Sequence, residues 1–189
     1  MRLASLLLVS ASLLIGCGQA NESDSTAWTA LSAAPDDSRA TRAGKARDFL
    51  ASELLKKLGA AIAEGGPANG VDVCQSAAAE IAGKVGASEG VKIGRSSFQL
   101  RNPDNQAPAW ARASIEEKVG EPKFFAGPDG ALGALFPIRL QERCVICHGP
   151  KDTIPEPVRD ALAKHYPKDE ATGFAPGDLR GYFWVEVPH

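Results

Sequence analysis

The sequence predicts an α+β domain in which N-terminal helices are followed by an antiparallel sheet. Apolar residues recur with helical spacing over about 40–84, and alternating, strand-like segments separated by turn residues follow from residue 91 onward. No βαβ repeat is visible, which argues against a parallel sheet. The composition, 44% hydrophobic and 23% charged, is that of a folded globular protein.

Two helices are expected at the start of this domain. Over about 40–64 the apolar residues keep a period near 3.6, so one face of the helix packs and the other faces water. The Gly-Gly-Pro sequence at 65–67 is expected to end that helix. A second helix is expected over about 68–84, with Cys74 on its apolar face.

The second half of the chain is expected to supply the sheet. Turn residues divide it into a strand over 91–100, a short helix over about 108–119, a hairpin around 127–130, a helix over 157–166 and a closing strand over 181–187. The Gly-Pro-Asp-Gly sequence at 127–130 carries the hairpin prediction because its residues favour tight turns.

Residues 1–16 are typical of a bacterial export signal. Arg2 precedes an apolar stretch of about a dozen residues, which is too short to span a bilayer comfortably. The stretch ends in Leu-Ile-Gly-Cys, which looks like a lipobox, so Cys17 is expected to carry a lipid. We expect 17–39 to be the lipidated N-terminus and a flexible tether, and 40–189 the folded domain. A plain secretory signal is the alternative.

The charge pattern narrows the possible partners. The formal net charge is −2, and no lysine- or arginine-rich stripe is present, so nucleic-acid binding is excluded. The expected location is the periplasmic side of a bacterial membrane, inner or outer, with the bilayer as a partner through acylated Cys17. A redox or signalling protein is the other expected partner.

The strongest motif is Cys-Val-Ile-Cys-His, at Cys144, Cys147 and His148. This spacing suits one covalently attached c-type haem, because two thiols can form thioethers with the vinyl groups while the adjacent imidazole becomes the proximal iron ligand. A thioredoxin-like redox site is less favoured, since no βαβ pattern surrounds the motif. A structural zinc site would need a second pair of ligands, and the sequence offers none.

Cys74 is left over once Cys17 is assigned to lipid and the motif cysteines to thioethers. An unpaired cysteine in an oxidising compartment calls for a reason, and Cys74 is a candidate sixth ligand of the haem iron. It is equally consistent with a buried, inert thiol. His165 is the rival ligand, and the residues alone leave the two open.

With these residues in view, the chain resembles a family of single-haem c-type domains with a PAS-like fold, a domain of unknown function. The resemblance covers most of 40–189 and rests on four stretches: 71–74, 94–105, 144–149 and 177–181. It implies an iron held by His148 and by a cysteine that maps onto Cys74. It thus favours Cys74 over His165, which stays the alternative. Members of the family also occur as sensor modules ahead of signalling domains, whereas no output domain is expected within this sequence.

Arg95 and Arg101 are candidate contacts for the haem propionates, because guanidinium groups bind carboxylates in a bidentate way. Ordinary ion pairs are the alternative.

Three functions remain open for such a protein. A sensor of redox state or of a small gas ligand is favoured, because it would explain a thiolate ligand at Cys74. A membrane-tethered electron carrier is the alternative. A peroxidase is least favoured, since it needs a distal acid–base group and His165 is the one histidine suited to that role. No catalytic residue is therefore assigned.

Overall fold

The N-terminal half of the domain is a long helical hairpin. The computed structural model describes residues 27–189, so the predicted signal peptide and Cys17 lie outside the described residues. Helix α1 (Ser38–Glu89) is interrupted at Gly65 and Gly66, whose backbone dihedral angles are not helical. Gly66 has φ of 77°, which favours glycine, and the proline that follows lacks an amide hydrogen, which the first turn of a helix does not need. The predicted break between two helices is confirmed.

The two arms of α1, residues 38–64 and 67–89, fold back on each other. Across the turn, the Asn69 amide donates to the Ala61 carbonyl at 2.9 Å. Gly70 lies so close to the first arm that a Cβ there would be 2.9 Å from Leu58 Cδ1. The absence of a side chain at Gly70 therefore permits the close approach of the arms.

Five strands form one antiparallel sheet in the order β1-β3-β4-β5-β2. The strands are β1 (Thr29–Ala30), β2 (Lys92–Ser96), β3 (Lys123–Ala126), β4 (Leu132–Arg139) and β5 (Leu179–Val187). The β3–β4 hairpin turns at 127–130 as predicted, and β5 lies between β4 and β2. The α+β class with an antiparallel sheet is confirmed.

Alternation along the strands gives the sheet two packed faces. Residues such as Ala134 and Val185 face α1 and join a core cluster with Leu50 and Val85, one from each arm. The intervening residues, Leu135 and Tyr182 among them, pack instead against α2 (Ala109–Glu116). The domain is thus a three-layer arrangement of helical hairpin, sheet and α2.

Two further helices lie outside these layers. Helix α3 (Val145–His148) is a single turn that contains most of the cysteine motif, and α4 (Glu156–His165) follows it. The second arm of α1 packs on α4 through Val71, which joins one apolar cluster with Val158 and Leu162. None of the helices described between residues 27 and 189 is long and apolar enough to cross a bilayer.

Part of the segment that we predicted as a tether, residues 17–39, belongs to the sheet. Thr29 and Ala30 pair with β3, and the Trp28 ring stacks on Trp110 with a centroid distance of 5.2 Å. Gly127 and Gly133 leave room for the Trp28 ring, because a Cβ at either would lie within 2.8 Å of it. Residues 28–30 therefore belong to the folded domain, which the polar composition of residues 18–39 did not reveal.

We expect Trp28→Ala to lower the free energy of unfolding by about 2 kcal/mol, since it removes a stacked, half-buried aromatic ring from two glycine sites. Urea unfolding followed by circular dichroism measures the change. Phe49→Ala is the matched control, because Phe49 is 42% exposed and its loss should cost well under half as much. Equal losses for the two variants would contradict the docking of Trp28.

Candidate functional site

The cysteine motif folds as a short helical segment. A 3-10 turn (Glu142–Cys144) leads into α3, which ends where the Gly149 amide donates to the Val145 carbonyl at 2.7 Å. Residues three and four apart lie on the same side of a helical turn, so Cys147 and His148 lie on the side of Cys144. All three cysteines between residues 27 and 189 are free thiols.

A neighbouring loop, residues 169–174, docks along this motif through its backbone. The Phe174 amide donates to the His148 carbonyl at 3.0 Å, and the Gly173 amide donates to the Gly149 carbonyl at 2.8 Å. Ala171 in the same loop is fully buried. The loop therefore fixes the backbone of the motif where it leaves α3.

The orientation of His148 is set by one hydrogen bond. Its Nδ1 lies 2.8 Å from the Ala171 carbonyl oxygen, and a carbonyl oxygen only accepts, so Nδ1 carries the hydrogen and donates. Arg180 Nε lies 3.2 Å from the same Nδ1, but two donors do not bond, so this is a close contact. The lone pair of Nε2 is therefore the one available to a metal.

His148 is also held in its neutral form. Burial lowers its pKa to about 3, the positive charges of Arg101 and Arg180 act in the same direction, and the Ala171 hydrogen bond opposes them. A neutral imidazole is the form that ligates a metal ion.

Cys74 lies beside the motif although it is distant in sequence. Val71, one turn earlier in the second arm of α1, is buried against α4, and Cys147 packs on the same apolar cluster. Burial raises the pKa of the Cys74 thiol, while the nearby charges of Arg95 and Arg101 oppose that shift. The charge of Cys74 in turn contributes to the raised pKa of Cys147, for which burial is again the main cause.

His165, the rival ligand, is engaged elsewhere. At the end of α4, its Nε2 lies 2.6 Å from Asp72 Oδ1, on the second arm of α1. The two side chains are therefore adjacent, although their geometry is not that of a hydrogen bond. The structure thus brings Cys74 to the motif and gives His165 a different neighbour.

Arg101 makes the ion pair that we considered as the alternative to a propionate contact. Its Nε lies 3.1 Å from Asp169 Oδ2, and both side chains are largely buried. Its Nη2 donates to the Cys147 carbonyl at 2.5 Å and to the Ala171 carbonyl at 3.2 Å. Arg101 is therefore occupied in joining the motif to the 169–174 loop.

Arg95 and Arg180 differ from Arg101, because no carboxylate of residues 27–189 lies within ion-pair distance of either. Burial lowers the pKa of Arg95. Burial, followed by the charge of Arg101, lowers the pKa of Arg180 to about 10. Two half-buried cations beside the motif thus lack an ion-pair partner, which is costly unless an anion joins them.

Sequence reasoning did not single out Arg180. Its Nη1 donates to Ser97 Oγ at 3.0 Å and to the Gln99 carbonyl at 3.2 Å, which places it beside the end of β2. That position depends on the pairing of β5 with β2. Arg180 lies in the 177–181 stretch on which the family resemblance rests, but nothing in that stretch assigned a role to its side chain.

A direct protein metal site is not formed here. Within residues 27–189, no three His, Cys, Asp or Glu side chains come together in a way that could hold a metal ion.

Comparison with known proteins assigns the family. The sequence profile of the Tll0287-like family matches residues 21–188, nearly the whole chain. The chain belongs to the Tll0287-like family. Among solved structures, this Tll0287-like chain is similar to the crystal structure of the cyanobacterial heme-protein Tll0287, with a TM-score of 0.57 and 23% sequence identity. The similarity covers 77% of this chain and 94% of that one, and it shows a shared fold. No curated protein matches the sequence.

Proposed function

We propose that this Tll0287-like chain is a single-haem c-type cytochrome with a PAS-like fold that acts as a sensor of redox state or of a small gas ligand. The observation that carries the proposal is that Cys74 lies close enough to Cys147 to affect its pKa, while His148 of the same motif keeps Nε2 available to a metal. The similarity to a solved haem protein supports it. When bound, haem supplies the redox chemistry of its iron.

Cys144 and Cys147 fit covalent attachment. Both are free and lie on one side of a helical turn. Each thiol adds across one vinyl group: the S–H bond breaks, a C–S bond forms, and the hydrogen goes to the other vinyl carbon. The addition consumes no oxidant.

His148 and Cys74 fit the two axial positions. Nε2 of His148 is unprotonated because Nδ1 carries the hydrogen, so it can bind iron directly. Cys74 lies on a separate element, the second arm of α1, and near Cys147, so it would be able to supply a second protein ligand to the iron. His165 is less suited, since its Nε2 already lies against Asp72.

Arg95 and Arg180 fit the haem propionates. Both lie near the motif, both are desolvated, and neither has a carboxylate partner among the described residues. Two carboxylates from the cofactor would neutralise them. We propose Arg180 in the role that the sequence suggested for Arg101, because Arg101 is already paired with Asp169.

The element that carries Cys74 favours a sensor over a carrier. The second arm of α1 joins the first through a glycine turn and contributes to the core beside the sheet. A change in how Cys74 is held therefore acts on the longest helix of the domain, which is how a local event biases two states of a fold. Electron transfer without a ligand change is the alternative.

We further propose that the domain is exported and held at the periplasmic side of a bacterial membrane by a lipid on Cys17. The apolar residues 3–15 and the lipobox-like sequence before Cys17 support this location. A separate redox or signalling protein would then be its partner.

The haem proposal is tested by producing the chain with a c-type maturation system. We expect the mass of one haem to remain on the denatured protein, together with a Soret band. Cys144→Ala/Cys147→Ala should lose the added mass entirely, whereas the control Cys74→Ser should retain it. A colourless wild-type protein would overturn the proposal.

The ligand assignment is tested by electron paramagnetic resonance of the ferric protein. We expect Cys74→Ser to abolish a low-spin thiolate–imidazole spectrum, because serine does not supply the sulfur donor. His165→Gln should leave the spectrum unchanged. The reverse result would assign the iron to His165.

A sensor should bind carbon monoxide once reduced, whereas reversible voltammetry without a ligand change would indicate an electron carrier.

The propionate assignment is tested by removing one charge at a time. We expect Arg180→Gln and Arg95→Gln each to lower the reduction potential by about 50 mV, because loss of a nearby cation, worth on the order of 1 kcal/mol, favours ferric iron. Arg159→Gln is the matched control, since Arg159 donates to the backbone carbonyl of Ile154 instead. Potentials equal to that of the control would rule out both contacts.

A further inference from the structure

We infer that Arg101 and Asp169 form a positioning clamp that sets the orientation and donor strength of His148. This inference rests on the proposed function, because it concerns how the chain holds a ligand of the haem iron. Arg101 lies in the turn after β2, outside both the motif and the 169–174 loop, and its side chain is 14% exposed. It therefore acts on His148 from a third part of the chain.

A single nitrogen of Arg101 bridges the two segments that meet at His148. Nη2 donates to the carbonyl of Cys147 at 2.5 Å and to that of Ala171 at 3.2 Å. The group has two hydrogens, so one goes to each carbonyl. The residue before His148 and the residue that accepts from His148 are thus held at a fixed separation.

Asp169 holds the same residue, Ala171, through its backbone amide. Its Oδ2 lies 3.1 Å from Arg101 Nε, and its Oδ1 accepts from the Ala171 amide at 2.8 Å. Both carboxylate oxygens are therefore used, and both the N–H and the C=O of Ala171 are fixed. The two charges neutralise each other in a largely buried place, as a stable buried pair requires.

The clamp matters because the Ala171 carbonyl decides which nitrogen of His148 carries the hydrogen. A second bond of this kind fixes the ring and raises the basicity of the metal-binding nitrogen. If Ala171 moves away, the His148 Nδ1–H bond lengthens and Nε2 becomes a weaker donor. A weaker donor favours ferrous iron, so the reduction potential rises.

Arg101→Lys tests the clamp without changing charge. A lysine ammonium lacks the planar fork and cannot hold Asp169 and both carbonyls with the same geometry. We expect covalent haem to remain and the equilibrium constant for one-electron reduction to increase about tenfold, which is about 59 mV. Pulsed electron paramagnetic resonance should show an altered quadrupole coupling of the remote nitrogen, Nδ1.

Arg139→Lys is the matched control, because Arg139 also donates to a backbone carbonyl, that of Gly120, away from the motif. If Arg101→Lys does not fold, Asp169→Glu replaces it, since it keeps the charge and shifts the carboxylate by one methylene. A potential and a coupling equal to those of the control would overturn the clamp, and so would a fall in potential. Absence of covalent haem in the wild type would instead overturn the proposed function.

Discussion

The break in α1 at Gly65 and Gly66 is the constraint on which the rest of the domain depends. An uninterrupted helix of 52 residues would be about 78 Å long and could not pack both ends on one sheet. The positive φ of Gly66 reverses the chain, so that Leu50 and Val85, from opposite arms, join the same core cluster. The same reversal brings the second arm to α4, and with it Cys74 to the cysteine motif.

The site forms where four separate parts of the chain meet beside the β2–β5 edge of the sheet. The second arm of α1 provides Cys74, the segment around α3 provides His148, and β2 and β5 provide Arg95 and Arg180. The second arm of α1, the motif and strand β5 are far apart in the sequence and meet only when the chain folds. The site therefore depends on the packing of the whole domain, which is consistent with a protein that binds a large, flat cofactor.

Electrostatics divides the arginines of the site into two kinds. The charge of Arg101 is neutralised by Asp169, and its Nη2 group donates to backbone carbonyls. Arg101 therefore stabilises the backbone of the motif. Arg95 and Arg180 are half-buried, and no carboxylate of residues 27–189 lies within ion-pair distance of either. Cations that are partly removed from water are costly in isolation and indicate where an anion belongs. The pattern agrees with a cofactor that carries two carboxylates.

The sequence by itself determined the elements and the motif, because both are encoded locally. Helical periodicity, the glycines at 65 and 66 and the turn at 127–130 predicted α1, its break and the β3–β4 hairpin. The Cys144–His148 spacing needs only one turn of chain. Tertiary structure decided what depends on distant partners: that Cys74 approaches the motif while His165 meets Asp72, that Arg101 is paired, and that Trp28 belongs to the sheet. Tertiary structure also placed the Ala171 carbonyl beside His148. No sequence pattern predicts this contact, because every residue has a backbone carbonyl and only the fold determines its direction.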